Sequence, residues 1–425
     1  MIFLLYNFML TILAPLWVPL VYLKSVRRRA HPDWKQRCAS YPDLPPKNDK
    51  KRLWFHAVSV GEVYASLPIL KKIRKKGPGV EIFFTVTTPG GYNTAQDNLS
   101  EVVDHILYCP IDVARFQLSA MVAIRPDVVA VMESELWLNF FWAAKSVGAK
   151  TILIAGRMGD KSYKVNKKLS IFFKEIFKYI DIVTVQNDEY KVRLESLGAK
   201  DAKVIGNSKY DQAVENLDID SDYWKSELNI PDQKPVIVVG STRSELEEKI
   251  VLESLGKIGL DRINVVFAPR QLNRVESIQA EATKLGYHVA LRSKQESSSF
   301  LILDTLGELN SVYSVADVVI LGGGFDQKGG SNLLQPLGLG KPVVHGPYMT
   351  NFFDIVDEAE KYGATFICEN ADQISEKVQL LLGDKDLYNQ KSKSAKEFVL
   401  NKTGASEKYA ELIMEQLHET NKNLR

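Results

Sequence analysis

From about residue 50 onward the chain alternates short apolar runs with longer stretches in which apolar residues recur at helical spacing. The short runs are Leu53–Val58, Val80–Val86, Asp127–Met132, Lys150–Ala155 and Asp181–Val185, then Pro235–Ser241, Ile263–Ala268, Phe300–Leu303, Asp317–Gly322 and Lys341–His345. Their apolarity is continuous rather than alternating, which predicts strands buried on both faces, as in a parallel sheet. Helical stretches between consecutive strands make βα units. Residues 216–234, acidic, polar and without a long apolar run, separate the two groups of strands. The pattern predicts two Rossmann-like α/β domains facing across a cleft, over residues 24–215 and 235–425, joined by 216–234. A last helical stretch, about Asp384–Gln416, is placed to pack back on the first domain.

The start of the chain is different. Residues 1–23, MIFLLYNFMLTILAPLWVPLVYL, carry no charged side chain. A helix of about 20 apolar residues crosses the hydrocarbon of a bilayer, so this run predicts a membrane-anchor helix, interrupted by Pro15 and Pro19 and diluted by Asn7 and Thr11. Trp17 and Tyr22 lie near one end, where aromatic side chains suit the interface. Between Lys24 and Arg52 stand ten Lys/Arg and three Asp, a balance of +7. A secretory signal places its positive charge before the apolar core and a small-residue cleavage site after it; here the order is reversed. The basic segment is expected on the cytoplasmic side, against anionic lipid. Spanning the bilayer and lying partly in it are both open.

Composition adds exclusions. The 425 residues include 54 Lys+Arg and 52 Asp+Glu, with 25% charged and 45% hydrophobic residues, an ordinary globular balance. The net charge of +2 argues against a nucleic-acid binder that works by bulk charge. Cys38, Cys109 and Cys368 are odd in number and widely spaced, which suggests neither a disulfide framework nor a metal knuckle. The six histidines form no ligand pair at helical or strand spacing. The D-x-D-x-D run Asp218–Asp222 lacks the Gly and the downstream Glu of a calcium loop. No metal or cofactor is expected.

In doubly wound sheets, ligands bind outside the carboxyl ends of the strands, so chemistry is sought just after each run. WFHAVSVGEV (54–63) ends a strand and opens a helix with Glu62, a carboxylate that suits the helix dipole or serves as a general base. VVAVMESELWLN (128–139) places Glu133 and Glu135 directly after a strand. Arg157 in LIAGRM and Lys209 in VIGNSKYD, a run that also holds Asn207 and Asp211, offer cations for an anionic ligand. In the second half, VVGSTRSE supplies Gly240, Ser241 and Thr242 in a strand-to-helix turn whose N–H groups can hold a phosphate, without the Walker spacing. FAPRQLNR supplies Arg270 and Arg274, and KGGSNLLQP supplies Gly329 to Asn332 ahead of Gln335. Gly, Ser and Arg at successive strand ends of one domain form a nucleotide-sugar pattern. None of these loops is a G-x-G-x-x-G.

The order of these motifs resembles the 3-deoxy-D-manno-octulosonic acid (Kdo) transferases of lipopolysaccharide assembly, over essentially the whole chain. The resemblance rests on H-A-V-S-V-G-E at 56–62, T-x-T-x-x-G from Thr85 to Gly90, M-E-S-E-L-W at 132–137 and G-R-M at 156–158. It continues with G-N-x-K-x-D at 206–211, G-S-T at 240–242, G-E-L at 307–309 and G-P-x-x-x-N-F-x-D-I at 346–355. It implies a GT-B fold and an inverting, metal-independent glycosyltransferase at the cytoplasmic face of the inner membrane, moving Kdo from CMP-Kdo onto lipid A precursor. By position it implies Glu62 as catalytic base and Glu133, Glu135 and Arg157 as acceptor residues. Lys209, Ser241, Thr242, Arg270, Gly307, Glu308, Leu309, Gly330, Ser331, Asn332 and Gln335 fall to the donor.

Two donor positions depart from the family pattern. Gln271 stands where the family has a His, and Gln335 where it has a Glu. A carboxylate would accept two ribose hydroxyls with full charge, whereas Gln335 accepts at one end only. These departures keep two alternatives in view: a related GT-B enzyme with another nucleotide-sugar donor, and a membrane-tethered, non-catalytic binding protein.

Overall fold

A computed structural model describes the whole chain except residues 17–18, 21–22, 24–32, 42, 216, 232–233, 260 and 420–425. The expectations attached to Trp17, Tyr22, Lys24, Arg27, Arg28 and Arg29 lie outside the described residues. The chain divides into two units: residues 1–212 with 403–425, and residues 213–402.

The first unit is built on seven parallel strands, β1 (Arg52–His56), β2 (Glu81–Val86), β3 (His105–Tyr108), β4 (Val128–Met132), β5 (Lys150–Gly156), β6 (Ile182–Val185) and β7 (Lys203–Val204). Their order in the sheet is β3-β2-β1-β4-β5-β6-β7. β1, β2 and β4 are buried at every position, which is why their sequences run apolar without alternation. The second unit repeats the plan with β8 (Val236–Thr242), β9 (Asn264–Pro269), β10 (Val289–Leu291), β11 (Phe300–Ile302), β12 (Val318–Leu321), β13 (Val343–His345) and β14 (Thr365–Ile367), ordered β10-β11-β9-β8-β12-β13-β14. In both sheets the order reverses beside the unit's first strand. That strand and the one pairing after the reversal, β1 with β4 and β8 with β12, flank the switch point where ligands of such sheets bind.

Six helices matter below: α1 (Ile2–Ile12), α2 (Val60–Lys76), α3 (Leu138–Ser146), α4 (Glu245–Ile258), α5 (Lys385–Leu400) and α6 (Ala405–Glu419). The expected last helical stretch is two helices. α5 belongs to the second unit and α6 to the first. Tyr409, Ala410, Ile413, Met414 and Leu417 of α6 enter the same core cluster as Leu53, Phe55, Ile69 and Ile73 of β1 and α2. The OH of Tyr409 donates to the carbonyl of Gly206 at 2.7 Å. Asp211 fixes the start of α6, accepting from Gly404 N at 2.6 Å and from Ser406 N and Oγ at 3.0 Å each.

The expected membrane-anchor helix over residues 1–23 is not supported. α1 has 11 residues, about 16 Å at 1.5 Å per residue, roughly half the hydrocarbon thickness. Among the described residues no helix is long and apolar enough to cross a membrane. One face of α1 is seated on the first unit. Phe3 packs against Trp142 with ring centroids 4.8 Å apart, and Tyr6 against Phe172 at 5.2 Å, both pairs tilted. The Tyr6 OH donates to Asp112 Oδ2 at 2.8 Å, and the Asn7 and Asn139 amides pair at 2.9 Å. The other face shows Leu4, Leu5, Phe8 and Ile12, each more than half exposed.

Candidate functional site

In the first unit, β1 runs into a tight turn and α2. Ser59 is the N-cap, its Oγ accepting from Glu62 N at 3.4 Å, and Glu62 reaches back to accept from Val58 N at 2.7 Å. This reciprocal S-x-x-E arrangement satisfies free N–H groups at the helix start, and it fixes the Glu62 carboxylate beyond the end of β1. The residue is 8% exposed. Burial, and then the charge of Glu133, push its carboxyl up to about 7.

Glu133 follows β4 with a left-handed backbone, φ +54°, a conformation that non-glycine residues adopt rarely. Its N–H donates to Ile154 O at 2.8 Å and its carbonyl accepts from Arg157 N at 3.3 Å, so the ends of β4 and β5 impose it. The side chain is buried and held by two cations: Lys209 Nζ at 2.7 Å from Oε1 and Arg157 Nε at 3.1 Å from Oε2. Burial alone would raise this carboxyl, but Lys209 and Arg157 outweigh it and hold the group below its ordinary value. Glu135 accepts from Trp137 Nε1 at 2.6 Å; burial raises its carboxyl. The structure thus brings Glu62, Glu133, Glu135 and Arg157 together. It adds Lys209, expected on the donor side, whose ammonium instead meets Glu133. Two neighbouring carboxylates with opposite shifts are an acid–base arrangement: one is kept ionised, and the other is left able to take a proton near neutral pH.

In the second unit, β8 ends at Ser241 and Thr242. Ser241 has φ +64°. Gly322 lies so close that a Cβ there would stand 2.6 Å from the Thr242 backbone, so only glycine lets these two strand ends meet. Gly330, at φ +80°, donates to Gly323 O at 2.8 Å, and Ser331 Oγ to Ser241 O at 3.5 Å. Arg270 N donates to Thr242 O at 2.9 Å, leaving its side chain exposed. These loops from the ends of β8, β9 and β12 therefore converge as expected.

Gly307, Glu308 and Leu309 lie outside that network. They follow β11, separated from β8 by β9, and Glu308 is bound to Arg292 Nη2 at 3.1 Å. Asn332 Oδ1 accepts from Leu334 N at 3.1 Å, and Gln335 is half-buried one position on.

Two residues of this cluster were not picked out by sequence reasoning. Arg243 approaches Lys328 O through Nη1 at 3.3 Å, while its Nε is buried with no partner among the described residues. Burial, and then the nearby Arg270, lower its guanidinium. Two guanidiniums side by side attract an anion. Glu247 is fully buried and accepts from Arg243 N at 2.8 Å, Gly323 N at 2.5 Å and Phe325 N at 3.2 Å. It ties the β8 loop to the β12 loop. The signal was present: Ser244 to Glu247 is the same S-x-x-E spacing as Ser59 to Glu62, and Ser244 caps α4. The difference between the two acids is chemical. Glu247 is satisfied by three backbone N–H groups, whereas Glu62 faces a second carboxylate.

A protein-family model described as 3-deoxy-D-manno-octulosonic-acid transferase (kdotransferase) matches residues 32–212. The 3-deoxy-D-manno-octulosonic acid transferase of Chlamydia pneumoniae is 30% identical over 362 residues, covering 83% of this chain and 82% of the relative. Among solved structures, a UDP-GlcNAc 2-epimerase from Neisseria meningitidis superposes with a TM-score of 0.60 at 14% identity, over 87% of this chain and 100% of that one. MurG from Acinetobacter baumannii gives a TM-score of 0.56 at 14% identity, over 86% and 99%. Those two likenesses establish the fold, a pair of parallel-sheet α/β units of the GT-B kind. The extent and identity of the Chlamydia match show that the chain belongs to the 3-deoxy-D-manno-octulosonic acid transferase family.

Proposed function

We propose that this glycosyltransferase moves Kdo from CMP-Kdo onto a hydroxyl of lipid A precursor (lipid IVA) with inversion, using Glu62 as general base. The observation that carries the reading is the Glu62 carboxyl, raised to about 7 beside a Glu133 kept ionised by Lys209 and Arg157. A free hydroxyl is a poor nucleophile at neutral pH, and a carboxylate within reach removes that obstacle. The acceptor oxygen bonds to the anomeric carbon of Kdo as the bond from that carbon to the CMP phosphate breaks. The hydroxyl proton goes to Glu62 and the electron pair leaves with CMP. The loops carrying Ser241, Arg243, Arg270 and Gly330 are the cradle for the nucleotide, their N–H groups and guanidiniums meeting the leaving phosphate. Gln335 supplies a neutral partner for the ribose.

The test is mass spectrometry of lipid IVA incubated with CMP-Kdo and the full chain. A mass gain of one or more Kdo residues is expected. CMP-Kdo left intact, with no Kdo on the lipid, would return the chain to the reading of a non-catalytic binding protein.

The same reading places the protein on the cytoplasmic face of the inner membrane. Support comes from α1, whose exposed Leu4, Leu5, Phe8 and Ile12 suit a helix lying in the interface, and from the +7 balance of Lys24–Arg52. Removal of residues 1–23 should shift the protein from the membrane pellet to the supernatant after a high-salt wash. Salt is needed because basic residues alone hold a chain to anionic lipid at about 1 kcal/mol each. Retention of the truncated chain after that wash would assign membrane binding to another surface.

A further inference from the structure

Between α1 and the carboxyl ends of β1, β2 and β3 the first unit encloses a cavity of about 250 Å³. Tyr6 and Leu10 of α1 form one wall, Cys109 and Ile111 the floor after β3, and Trp137 with Phe140 the side towards α3. Its lining is mostly carbon, and several of its polar groups are already engaged. The Tyr6 hydroxyl is bound to Asp112, Asp112 Oδ1 accepts from Phe140 N at 2.9 Å, and the Arg37 guanidinium is bound to the Cys109 carbonyl. Gln117 Oε1 is the one lining acceptor found buried without a partner among the described residues, so a sugar or phosphate entering here would leave most of its hydroxyls unpaired, a penalty that an apolar guest avoids. The volume falls just below the roughly 300–1,000 Å³ of sites that hold a whole small molecule, so it fits part of a ligand.

Two further observations say which part. The helix that walls the cavity with Tyr6 and Leu10 carries the exposed Leu4, Leu5, Phe8 and Met9 on its other side, so the cavity lies one helix thickness from a surface that suits lipid. At the other side, Trp137 lines the cavity and donates to Glu135, which joins it to the carboxylate cluster.

We infer that this cavity binds one fatty acyl chain of the lipid acceptor, and that α1 is the wall along which the chain enters. The inference rests on the reading of the acceptor as an acylated glucosamine disaccharide phosphate. It gives α1 a role in substrate selection besides membrane attachment. It also explains a helix seated on its own domain by a tyrosine–aspartate bond and an amide pair, contacts that a bare tether does not need.

The test uses the full chain in two arms. In the first, kcat/KM is measured with a tetra-acylated disaccharide phosphate and with its fully deacylated counterpart, for the wild type and for Leu10→Trp and Cys109→Phe, which narrow the mouth and fill the floor. Excluding two or three methylene groups corresponds to a loss on the order of 10–100-fold. The ratio of acylated to deacylated kcat/KM should therefore fall by that factor in either variant that folds. A ratio equal to the wild type's in a folded variant overturns the inference.

In the second arm, a single-chain acyl glucosamine phosphate with a diazirine at the chain end is photolysed with the wild type. Attachment at Ile111, Trp137 or Phe140 supports the inference. Attachment only at the outer residues of α1, or none, overturns it. If neither disaccharide accepts Kdo but the label lands in the cavity, the acceptor assignment fails and the acyl site stands.

Discussion

Glu62→Gln lowers Kdo transfer by about 10²–10⁴-fold, the usual worth of a general base, and leaves CMP binding nearly intact. Gln keeps the length of the side chain and an oxygen to accept from Val58 N, so the cap of α2 survives while the proton acceptor is lost. The measurement is kcat/KM beside a melting curve. In the wild type, kcat/KM falls on the acid side as Glu62 takes a proton near pH 7, and this limb is absent from the residual activity of the variant. Stability moves the other way. A carboxyl whose folded pKa is raised from 4.5 to about 7 binds its proton more tightly in the folded state, so its contribution is fully present below about pH 4.5 and lost as pH rises through 7. The site is therefore active where this group destabilises the fold. A helix acid with only a dipole role predicts a change of about 0.3–1 kcal/mol in stability and little in rate. A folded Glu62→Gln chain with near-wild-type transfer would falsify the assignment. Glu135 would then be the next candidate, because Glu133 is held ionised by two cations.

The second large effect concerns the fold. Tyr409→Ala should destabilise the first unit by about 3–5 kcal/mol, as for other large aromatic-to-alanine changes in cores. Tyr409 is fully buried among residues of β1, α2 and β4, and its hydroxyl is bound to Gly206. At about 2–4 °C per kcal/mol for a unit of this size, the melting temperature of that unit falls by roughly 6–20 °C. Calorimetry that resolves the two units should show the second transition almost unmoved. A shift of less than about 1 kcal/mol would mean that α6 is dispensable to the first core.

The strands legible in the sequence were those buried on both faces, where Val, Ile and Leu run without interruption. Four were missed: β3, β7, β10 and β14. All four are sheet edges. Each is two to four residues long, and β7 is exposed at both positions. An edge strand has one neighbour and one open flank, so it needs no continuous apolar run and leaves little signal.

The site divides in the same way. Glu133 and Arg157 were legible because each directly follows a buried strand, and Glu62 because it opens the helix after one. The side to which Lys209 belongs was not, because its partner, Glu133, lies 76 positions away and the left-handed turn that aims that carboxylate has no glycine to mark it. Glu247 was missed although its capping spacing was present, since its work is done by backbone groups on a loop far along the chain. Asp211 sits two residues from Lys209 in one short motif, yet the two act separately, one on the start of α6 and one on Glu133.

The assignment of α6 to the first unit also sets an order of events during synthesis. The first unit cannot close its hydrophobic core until residues 403–425 have been made, and residues 213–402, a complete unit of their own, intervene. At about 5–20 residues per second the wait is on the order of 10–40 s. During that time the surface that receives Tyr409, Ile413 and Leu417 is open to water. The nascent chain thus carries two apolar surfaces at once, the α1 segment at its front and the empty seat of α6. A chain ended after Lys402 and released would carry a complete second unit attached to an unfinished first one, a natural substrate for chaperones and for the proteases that remove incomplete chains.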